Sequence, residues 1–361
     1  MNGELGRAAV RGLPLYVPDT VAHCLVDASD NTNMWGAPPA SVRAVAAATS
    51  SHLSRYPSVY SEPLRVGILE YVGLGGIPDI GVVTGCGSDD VLDSTMRAFG
   101  SAGDSIAYST PTFSMIPLLA RLNGLVLAPV PLTNTFDVDV QQLVDQKARI
   151  TYLCAPNNPT ATAVSRAAVE YVVSRAVGIV LIDEAYAEFA PETFERLVAQ
   201  AEHVVVARTF SKAFGLAGLR VGFGVGSRAV VEVIERARGP YKVNGLAELA
   251  VLAALETGPD GLDWVRECAA LAIINRQRLT AALEALGLIV LPSVATFVMV
   301  PTSNAVPVAA ALRERGILVR AFTGLPREIE AFAKSGGAAL RIGVGPWELM
   351  ETLLAALGEV L

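Results

Sequence analysis

The stretch from Arg208 to Gly224, which reads RTFSKAFGLAGLRVGFG, contains a lysine that could do covalent chemistry. Small residues and hydroxyls surround Lys212, and no carboxylate stands beside it to form an ordinary surface ion pair. An amine that is desolvated or held near other cations loses its proton easily and can attack an aldehyde. Thr209, Ser211 and Arg220 could bind a phosphate held close to that amine. A lone lysine of this kind is usually a loop residue, but the complete pattern favours a cofactor site.

Two further stretches place polar side chains at the ends of predicted strands. Asp183 follows the apolar run Gly178–Ile182, and a carboxylate at that end of a parallel strand points into the crevice where open α/β sheets bind ligands. Asn158 lies in the stretch CAPNNPT, where two prolines can hold its amide in one orientation. A helix cap at Asp183 and a simple turn at Asn158 are the alternatives.

A glycine-rich turn, TGCGSDD, spans residues 84–90 between a predicted strand and a predicted helix. Gly87 permits unusual backbone angles and Ser88 can cap the helix. Free backbone N–H groups at such a helix N-terminus bind phosphate. Any strand–helix connection could carry a turn of this kind, so the turn supports a phosphate site only together with Lys212.

Alternating strands and helices must position these residues. Short β-branched runs alternate with amphipathic stretches from Ser41 to about Tyr241, which predicts crossover connections and a mostly parallel sheet. Nearly all strand candidates are apolar, as expected when both sheet faces are covered. The predicted strands are Gly81–Thr84, Ser105–Ala107, Leu125–Val130, Ile150–Cys154, Gly178–Ile182, His203–Ala207 and Arg220–Val225, and the predicted helices are Asp89–Phe99, Phe113–Asn123, Ser165–Ser174 and Ala229–Ala237.

The pattern changes after Tyr241 and predicts a smaller α+β unit. A helical tract from Gly245 to Ala285 is interrupted at Gly258–Gly261, and strands are predicted at Thr296–Val300 and Ala339–Val344. Helices are predicted at Pro307–Arg315 and Trp347–Leu361. The first 40 residues contain four prolines and predict an extended arm. We therefore expect an arm over residues 1–40 that joins the small domain, a large domain over 41–245 and a small domain over 246–361.

The composition excludes several classes of function. A formal charge of −7 argues against a nucleic-acid partner, because phosphates would be repelled. No apolar run approaches the roughly 20 residues that cross a bilayer. The 52% of hydrophobic residues therefore indicates two-sided burial or a subunit interface. Four scattered cysteines and three histidines indicate neither structural zinc nor a disulfide framework, and a cytoplasmic location is expected.

The lysine stretch resembles the lysine segment of the histidinol-phosphate aminotransferases, which belong to the fold-type I superfamily of pyridoxal-phosphate enzymes. The resemblance extends across nearly the whole chain, with the motifs in the family's order. It implies a three-layer α/β/α large domain with a mostly parallel sheet, plus a smaller α+β domain. It also implies that Lys212 carries pyridoxal 5′-phosphate as a Schiff base.

The resemblance assigns further residues to this cofactor. Asp183 is implied to pair with the pyridinium nitrogen, and Tyr186 and Asn158 to contact the ring's 3′-oxygen. Phe113 is implied to stack on the ring, although an ordinary core phenylalanine is the alternative. The residues implied to hold the phosphate are Gly87, Ser88, Asp89, Thr209, Ser211 and Arg220.

Other residues are assigned to the substrate or to a second subunit. Arg341 is a single charge within an apolar strand, so an anion is expected beside it, and an internal salt bridge is the alternative. The resemblance makes Arg341 the group that binds the substrate's anion, with Arg320 and Tyr16 as phosphate contacts. It places Tyr56 in the neighbouring subunit's active site, which implies a homodimer. A tyrosine beside a turn proline is the alternative for Tyr56.

The chain departs from the family pattern in four places. Cys86 stands where Asn is common, Asp90 where Glu is common, and Ala161 where Gly is usual. The family's Glu-Asn-Pro-Tyr-Gly stretch reads DNTNMWG over residues 30–36, and we predict Asn33 and Trp35 at the substrate entrance. This last departure bears directly on substrate choice.

The expected function is transfer of an amino group from a small-molecule donor to a 2-oxo acid. The family implies histidinol phosphate as donor and 2-oxoglutarate as acceptor, in histidine biosynthesis. A related aminotransferase for aromatic or specialised amino acids is the alternative. Relatives that decarboxylate threonine phosphate have less similar lysine segments. A non-catalytic pyridoxal-phosphate sensor fused to a DNA-binding domain is a remote alternative, because the stretch before Ser41 is short and poor in basic residues.

Overall fold

The computed structural model describes residues 6–13 and 23–361 of the chain. Tyr16 lies outside the described residues. In chain order, the strands are β1 (Val26–Asp27), β2 (Ile80–Gly85), β3 (Ser105–Thr110), β4 (Val126–Pro131), β5 (Ile150–Cys154), β6 (Ile179–Asp183), β7 (Val204–Thr209), β8 (Gly222–Ser227), β9 (Phe297–Pro301), β10 (Ile317–Leu318), β11 (Arg320–Phe322) and β12 (Ala339–Gly343).

The α-helices surround these strands. They are α1 (Ala8–Arg11), α2 (Pro39–Ala46), α3 (Ser50–Ser54), α4 (Glu62–Tyr71), α5 (Ser88–Phe99), α6 (Met115–Leu122), α7 (Val140–Asp145), α8 (Arg166–Arg175), α9 (Arg228–Ala237), α10 (Gly245–Leu255), α11 (Leu262–Ala285), α12 (Ala305–Glu314), α13 (Glu330–Lys334) and α14 (Trp347–Val360). Every predicted strand and helix coincides with an element of its type, with ends shifted by at most three residues. The elements that were not individually predicted are α1, α2, α3, α4, α7, α13, β1, β10 and β11.

Seven strands form the central sheet in the order β2-β8-β7-β6-β5-β3-β4. Only β8 runs antiparallel to its neighbours, so the prediction of a mostly parallel sheet is confirmed. The carboxyl ends of β2, β3, β5, β6 and β7 consequently meet at one edge. Cys154 lies opposite Asp183 there, and Thr209 lies opposite Gly222 at the start of β8.

Both faces of the sheet are covered, which explains its apolar strands. Along β6, Val180 and Ile182 belong to one buried core, whereas Ile179 and Leu181 belong to another. This alternation follows the two-residue period of a strand. Helices α5, α6 and α9 pack on the second core, and α4, α8 and α10 pack on the first, which gives three layers.

The C-terminal part contains a three-stranded antiparallel sheet, β11-β12-β9. Its core also includes Val26 and Ala28 from the N-terminal region, and Val26 of β1 pairs with Ile317 of β10. In the segment from residue 23 to residue 40, β1 and the first turn of α2 are regular, and the rest is irregular. Among the described residues, no helix is both long and apolar enough to cross a membrane.

Candidate active site

A cavity of about 500 Å³ opens at the edge where the parallel strands end. Ligands of open α/β sheets bind at this edge, because the connecting loops and helix N-termini converge there. Of the residues predicted from the sequence, the following line the cavity: Ser88, Asp89, Phe113, Asn158, Asp183, Tyr186, Thr209, Ser211, Lys212, Arg220, Arg320 and Arg341. Residues separated by more than 250 positions in the chain are therefore brought into one site.

Lys212 follows β7 and reaches across the cavity towards the N-terminal segment. Its Nζ donates a hydrogen bond of 2.9 Å to the backbone carbonyl of Asp30. Burial lowers the pKa of Lys212 from 10.5 to about 8, and the positive charges of Arg341 and Arg220 act in the same direction. The charges of Asp30 and Asp89 oppose this shift. The lysine is thus a usable nucleophile near neutral pH.

This lowered pKa predicts how the cofactor-free protein reacts with pyridoxal phosphate. At pH 7.5, roughly a quarter of Lys212 amines are neutral, against about one in a thousand for an ordinary lysine. We expect the rate at which the visible absorption band forms to rise with pH, with a midpoint near 8 and a plateau above it. Stopped-flow mixing between pH 6.5 and 10.5 measures this rate. N-acetyl-lysine amide is the control, and a protein midpoint as high as the control's would contradict the prediction.

Asp183 ends β6 at the floor of the cavity, where its side chain is 3% exposed. Its Oδ2 accepts a hydrogen bond of 2.8 Å from the Tyr152 hydroxyl, and its Oδ1 accepts one of 3.1 Å from the backbone N–H of Ala185. Burial raises the pKa of Asp183 to about 6, although both hydrogen bonds lower it. A buried carboxylate of this kind favours a cation beside it, such as a protonated pyridine nitrogen.

Asn158 and Arg341 orient each other on the opposite wall. Arg341, which is 8% exposed, donates from Nη1 to Asn158 Oδ1 over 2.8 Å and from Nη2 to the carbonyl of Ser29. A guanidinium can only donate, so the Asn158 oxygen faces it and the NH₂ group is turned away. Asn158 can therefore donate to a bound ring oxygen. Two of the Arg341 hydrogen bonds thus go to an amide oxygen and to a backbone carbonyl oxygen.

The glycine-rich turn forms a phosphate cradle with the lysine stretch. Gly87 precedes α5 with a φ of +80°, and a side chain built on it would approach an Arg220 nitrogen to 2.5 Å. A side chain on Gly222 would approach the Ser88 nitrogen to 2.2 Å. Arg220 also adopts a positive φ of 56° and approaches Ser211 Oγ to 3.5 Å. Backbone donors, hydroxyls and a guanidinium thus lie close together, because the glycines place no side chain between them.

The residues present therefore fit pyridoxal phosphate. The cradle offers donors to a phosphate at the N-terminus of α5, and Asp183 offers a carboxylate to a ring nitrogen. Lys212 offers a deprotonatable amine, and Phe113 lines the wall between these groups. Each functional part of the cofactor has a chemically matched partner.

Replacing Gly87 with alanine is expected to weaken cofactor binding about 5- to 30-fold. The added methyl displaces Arg220, and a non-glycine residue with this φ is strained by about 1–2 kcal/mol. Titrating pyridoxal phosphate into the cofactor-free variant measures the affinity. Gly218→Ala is the matched control, because no described atom outside the adjoining residues lies within 4 Å of its added methyl. Equal affinities of the two variants would contradict the cradle assignment.

Four of the described predicted residues do not line this cavity: Gly87, which lies in the turn before α5, and Asn33, Trp35 and Tyr56. The Asn33 side chain donates to the Ala213 carbonyl over 2.9 Å and accepts from the Trp35 backbone N–H, so it ties the N-terminal segment to the lysine loop. Trp35 packs partly buried against the hydrophobic cores. Both residues line a small second pocket that Lys212 and Asn31 also line, and their placement at the substrate entrance stays a prediction. Tyr56 is 83% exposed and stacks on Tyr241 at 4.7 Å.

Two residues that contact the predicted ones, Tyr152 and Asn31, carry little signal in the sequence. Tyr152 donates to Asp183, and a tyrosine in the middle of a largely apolar strand was the available signal. Asn31 donates to the Tyr186 hydroxyl over 3.0 Å and lines the cavity. It lies in the DNTNMWG stretch, but no periodicity distinguished it from Asn33. Ala161 adopts a φ of +65°, which explains why glycine is usual at that position.

Comparison with known proteins agrees with this geometry. The model of the family described as aminotransferase class I and II matches residues 25–357. The histidinol-phosphate aminotransferase of Roseiflexus castenholzii is 38% identical over 345 residues, which cover 91% of this chain and 88% of that protein. The histidinol-phosphate aminotransferase of Thermoanaerobacter pseudethanolicus is 33% identical over 317 residues, which cover 86% of each. The resemblance stated from the sequence motifs is confirmed.

Solved structures share the fold. The histidinol-phosphate aminotransferase of Sinorhizobium meliloti, solved in complex with pyridoxal-5′-phosphate, superposes with a TM-score of 0.82 at 24% identity, covering 94% of this chain and 91% of that one. The aspartate aminotransferase of Thermus thermophilus with maleate superposes with a TM-score of 0.79 at 22% identity, covering 94% and 92%. The predicted fold class is confirmed, and its occurrence with different substrates means that the fold does not select the donor.

Proposed function

Because the chain belongs to the aminotransferase class I and II family, we propose that it transfers the amino group of L-histidinol phosphate to 2-oxoglutarate. The cofactor is pyridoxal 5′-phosphate. The relatives named above support this donor. The observation that carries the proposal is a pair of arginines in the cavity: Arg320 and Arg341 lie opposite each other on β11 and β12. Two neighbouring cations suit a phosphate on the donor and a carboxylate on the acceptor.

The chain's own residues account for the chemistry. When bound, pyridoxal phosphate supplies an aldehyde that bonds to amines and a ring that withdraws electrons from the adjacent carbon. Lys212 Nζ is partly neutral near pH 8. It is therefore the base that takes the proton from the substrate's α-carbon and donates it to the carbon on the other side of the substrate nitrogen. Asp183 would keep the ring nitrogen protonated, because its carboxylate is buried and its hydrogen-bond partners, the Tyr152 hydroxyl and the Ala185 N–H, carry no positive charge. Asn158 and Tyr186 would donate to the ring oxygen.

Substrate turnover tests this proposal. The purified protein with pyridoxal phosphate and 2-oxoglutarate is supplied with one amine donor at a time, and glutamate formation is followed. We expect rapid turnover of L-histidinol phosphate and at least about tenfold lower kcat/KM for unphosphorylated L-histidinol, because a charge-assisted contact is lost. Rapid turnover of phenylalanine without histidinol-phosphate activity would instead support the aromatic or specialised aminotransferase.

The arginine pair provides a matched set of variants. Arg320→Ala should raise KM for the phosphorylated donor more than for a donor without phosphate. Arg341→Ala should also lower kcat, since Asn158 loses the group that orients it. Arg315→Ala is the control, because Arg315 lies near Glu359 on the surface. Equal effects of Arg320→Ala on both donors would argue against phosphate recognition by this pair.

We further propose a homodimer in which Tyr56 contacts the cofactor phosphate of the neighbouring subunit. Its exposure, together with the 72% exposed Leu53, supports a surface that a second copy covers. Light scattering measures the mass. Mixed dimers of Lys212→Ala and Tyr56→Ala chains would contain one intact site, so mixing should restore up to about a quarter of wild-type activity. A mixture no more active than its separate components would count against shared sites.

The proposed division of the chain keeps the arm over residues 1–40, the large domain over 41–245 and the small domain over 246–361. The pairing of β1 with β10 supports an arm that joins the small domain. A cytoplasmic location is proposed with it, supported by four cysteines that are all free.

A further inference from the structure

Asn31 combines two energetic costs at one buried position of the cavity wall. The residue is 2% exposed and adopts a φ of +59°, in the left-handed region. Its Oδ1 atom is buried without a hydrogen-bond partner among the described residues. An unsatisfied buried acceptor costs about 1–3 kcal/mol. Costs of this kind concentrate at functional sites, where the surrounding structure enforces them.

The nitrogen of the Asn31 amide makes the hydrogen bond that could explain why these costs are kept. Nδ2 of Asn31 donates to the Tyr186 hydroxyl oxygen over 3.0 Å. A tyrosine hydroxyl has one proton to donate. Because its oxygen accepts from Asn31, Tyr186 must donate that proton in another direction, and the cavity lies beside it.

The surroundings hold both partners in place. Tyr186 is 3% exposed and packs edge-to-face on Phe297 with ring centroids 5.0 Å apart. Asn31 follows Asp30, whose carbonyl accepts from Lys212. The N-terminal segment therefore contacts both the lysine and the tyrosine that face the cofactor. Its position can adjust the chemistry of the site.

We propose that Asn31 is a positioning residue that directs the Tyr186 hydroxyl proton onto the 3′-oxygen of bound pyridoxal phosphate. The proposal rests on the cofactor part of the proposed function and is independent of the amine donor. A hydrogen bond to that oxygen stabilises the negative charge of the oxygen. The oxygen then stabilises the neighbouring proton of the lysine–cofactor linkage less, so the pKa of that linkage falls. Without Asn31, the linkage should keep its proton to higher pH.

The pH titration of the visible absorption band of the holoenzyme measures this proton. We expect Asn31→Ala and Tyr186→Phe each to raise the titration midpoint by about one pH unit, the size expected when one charge-assisted hydrogen bond is lost. In the Tyr186→Phe background, Asn31→Ala should add less than about a third of its single effect, because both changes remove the same hydrogen bond. Asn304→Ala, at the surface N-cap of α12, should leave the midpoint unchanged.

Asn31→Asp tests the direction of the hydrogen bond and serves if the alanine variant does not fold. The aspartate has the same shape but can only accept, so it should turn the Tyr186 proton away from the cofactor. The midpoint should rise at least as far as in Asn31→Ala. In the Tyr186→Phe background, the share of this rise that comes from turning the Tyr186 proton away should be absent, because no hydroxyl is left to turn. Unchanged midpoints in both Asn31 variants, or full shifts in the Tyr186→Phe background, would overturn the proposal. A wild-type protein without any visible band would instead refute the cofactor assignment itself.

Discussion

Replacing Lys212 with alanine is expected to abolish the visible cofactor band and to lower the turnover rate by a factor of about 10⁴ or more, because nucleophile and proton-transfer base are lost together. Lys212 is the described lysine that lines the cavity, and its lowered pKa suits both roles. Absorbance after addition of pyridoxal phosphate and mass spectrometry after borohydride reduction measure the covalent bond. Pyridoxal phosphate should still bind, although more weakly, because the phosphate cradle remains.

Lys334→Ala is the control for this variant. Lys334 is exposed and forms an ion pair of 2.7 Å with Glu330 on α13. Its removal should change neither the band nor the turnover. A small primary amine added to Lys212→Ala should restore a fraction of the activity, since it can occupy the space that the side chain leaves. A band that persists in Lys212→Ala would contradict the central assignment.

Replacing Asp183 with asparagine is expected to lower kcat about 10²- to 10³-fold while the fold is kept. The amide has the shape of the carboxylate, so its oxygen can still accept from Tyr152, but it has no negative charge to keep a ring nitrogen protonated. The exchange of the substrate's α-proton with solvent deuterium, followed by NMR, measures the step directly. Asp145→Asn, on the exposed end of α7, is the control. Unchanged exchange in Asp183→Asn would remove Asp183 from the mechanism.

Stability separates this loss of activity from a loss of structure. Burial raises the pKa of Asp183 from 3.8 to about 6, so the folded cofactor-free chain binds this proton more tightly than the unfolded chain. The free energy of unfolding therefore falls as the pH rises from about 4 to about 6, by about 3 kcal/mol. The asparagine variant lacks this dependence. In urea unfolding of the cofactor-free forms, the stability of the variant should therefore change less between pH 4 and pH 6 than that of the wild type.

The residues that follow a strand directly were predictable from the sequence. Asp183, Asn158 and Lys212 lie at or just after the carboxyl ends of neighbouring strands. Once the strands are recognised and taken as parallel, their ends must meet at one edge of the sheet. Strand recognition needs only the apolar runs and the turn residues that bound them, which are local features of the chain. The fold class and the choice of Lys212 as the candidate cofactor lysine therefore required no tertiary information.

The contacts that orient those residues were decided by the tertiary structure. The hydrogen bond from Asn31 to Tyr186 spans 155 residues, and the one from Arg341 to Asn158 spans 183. In the same stretch, Asn31 reaches the cavity whereas Asn33 bonds to the Ala213 backbone. Two asparagines so close in sequence carry no local signal that distinguishes them. Which one faces the cavity depends on how the N-terminal segment crosses the lysine loop, and that path is set by packing between distant parts of the chain.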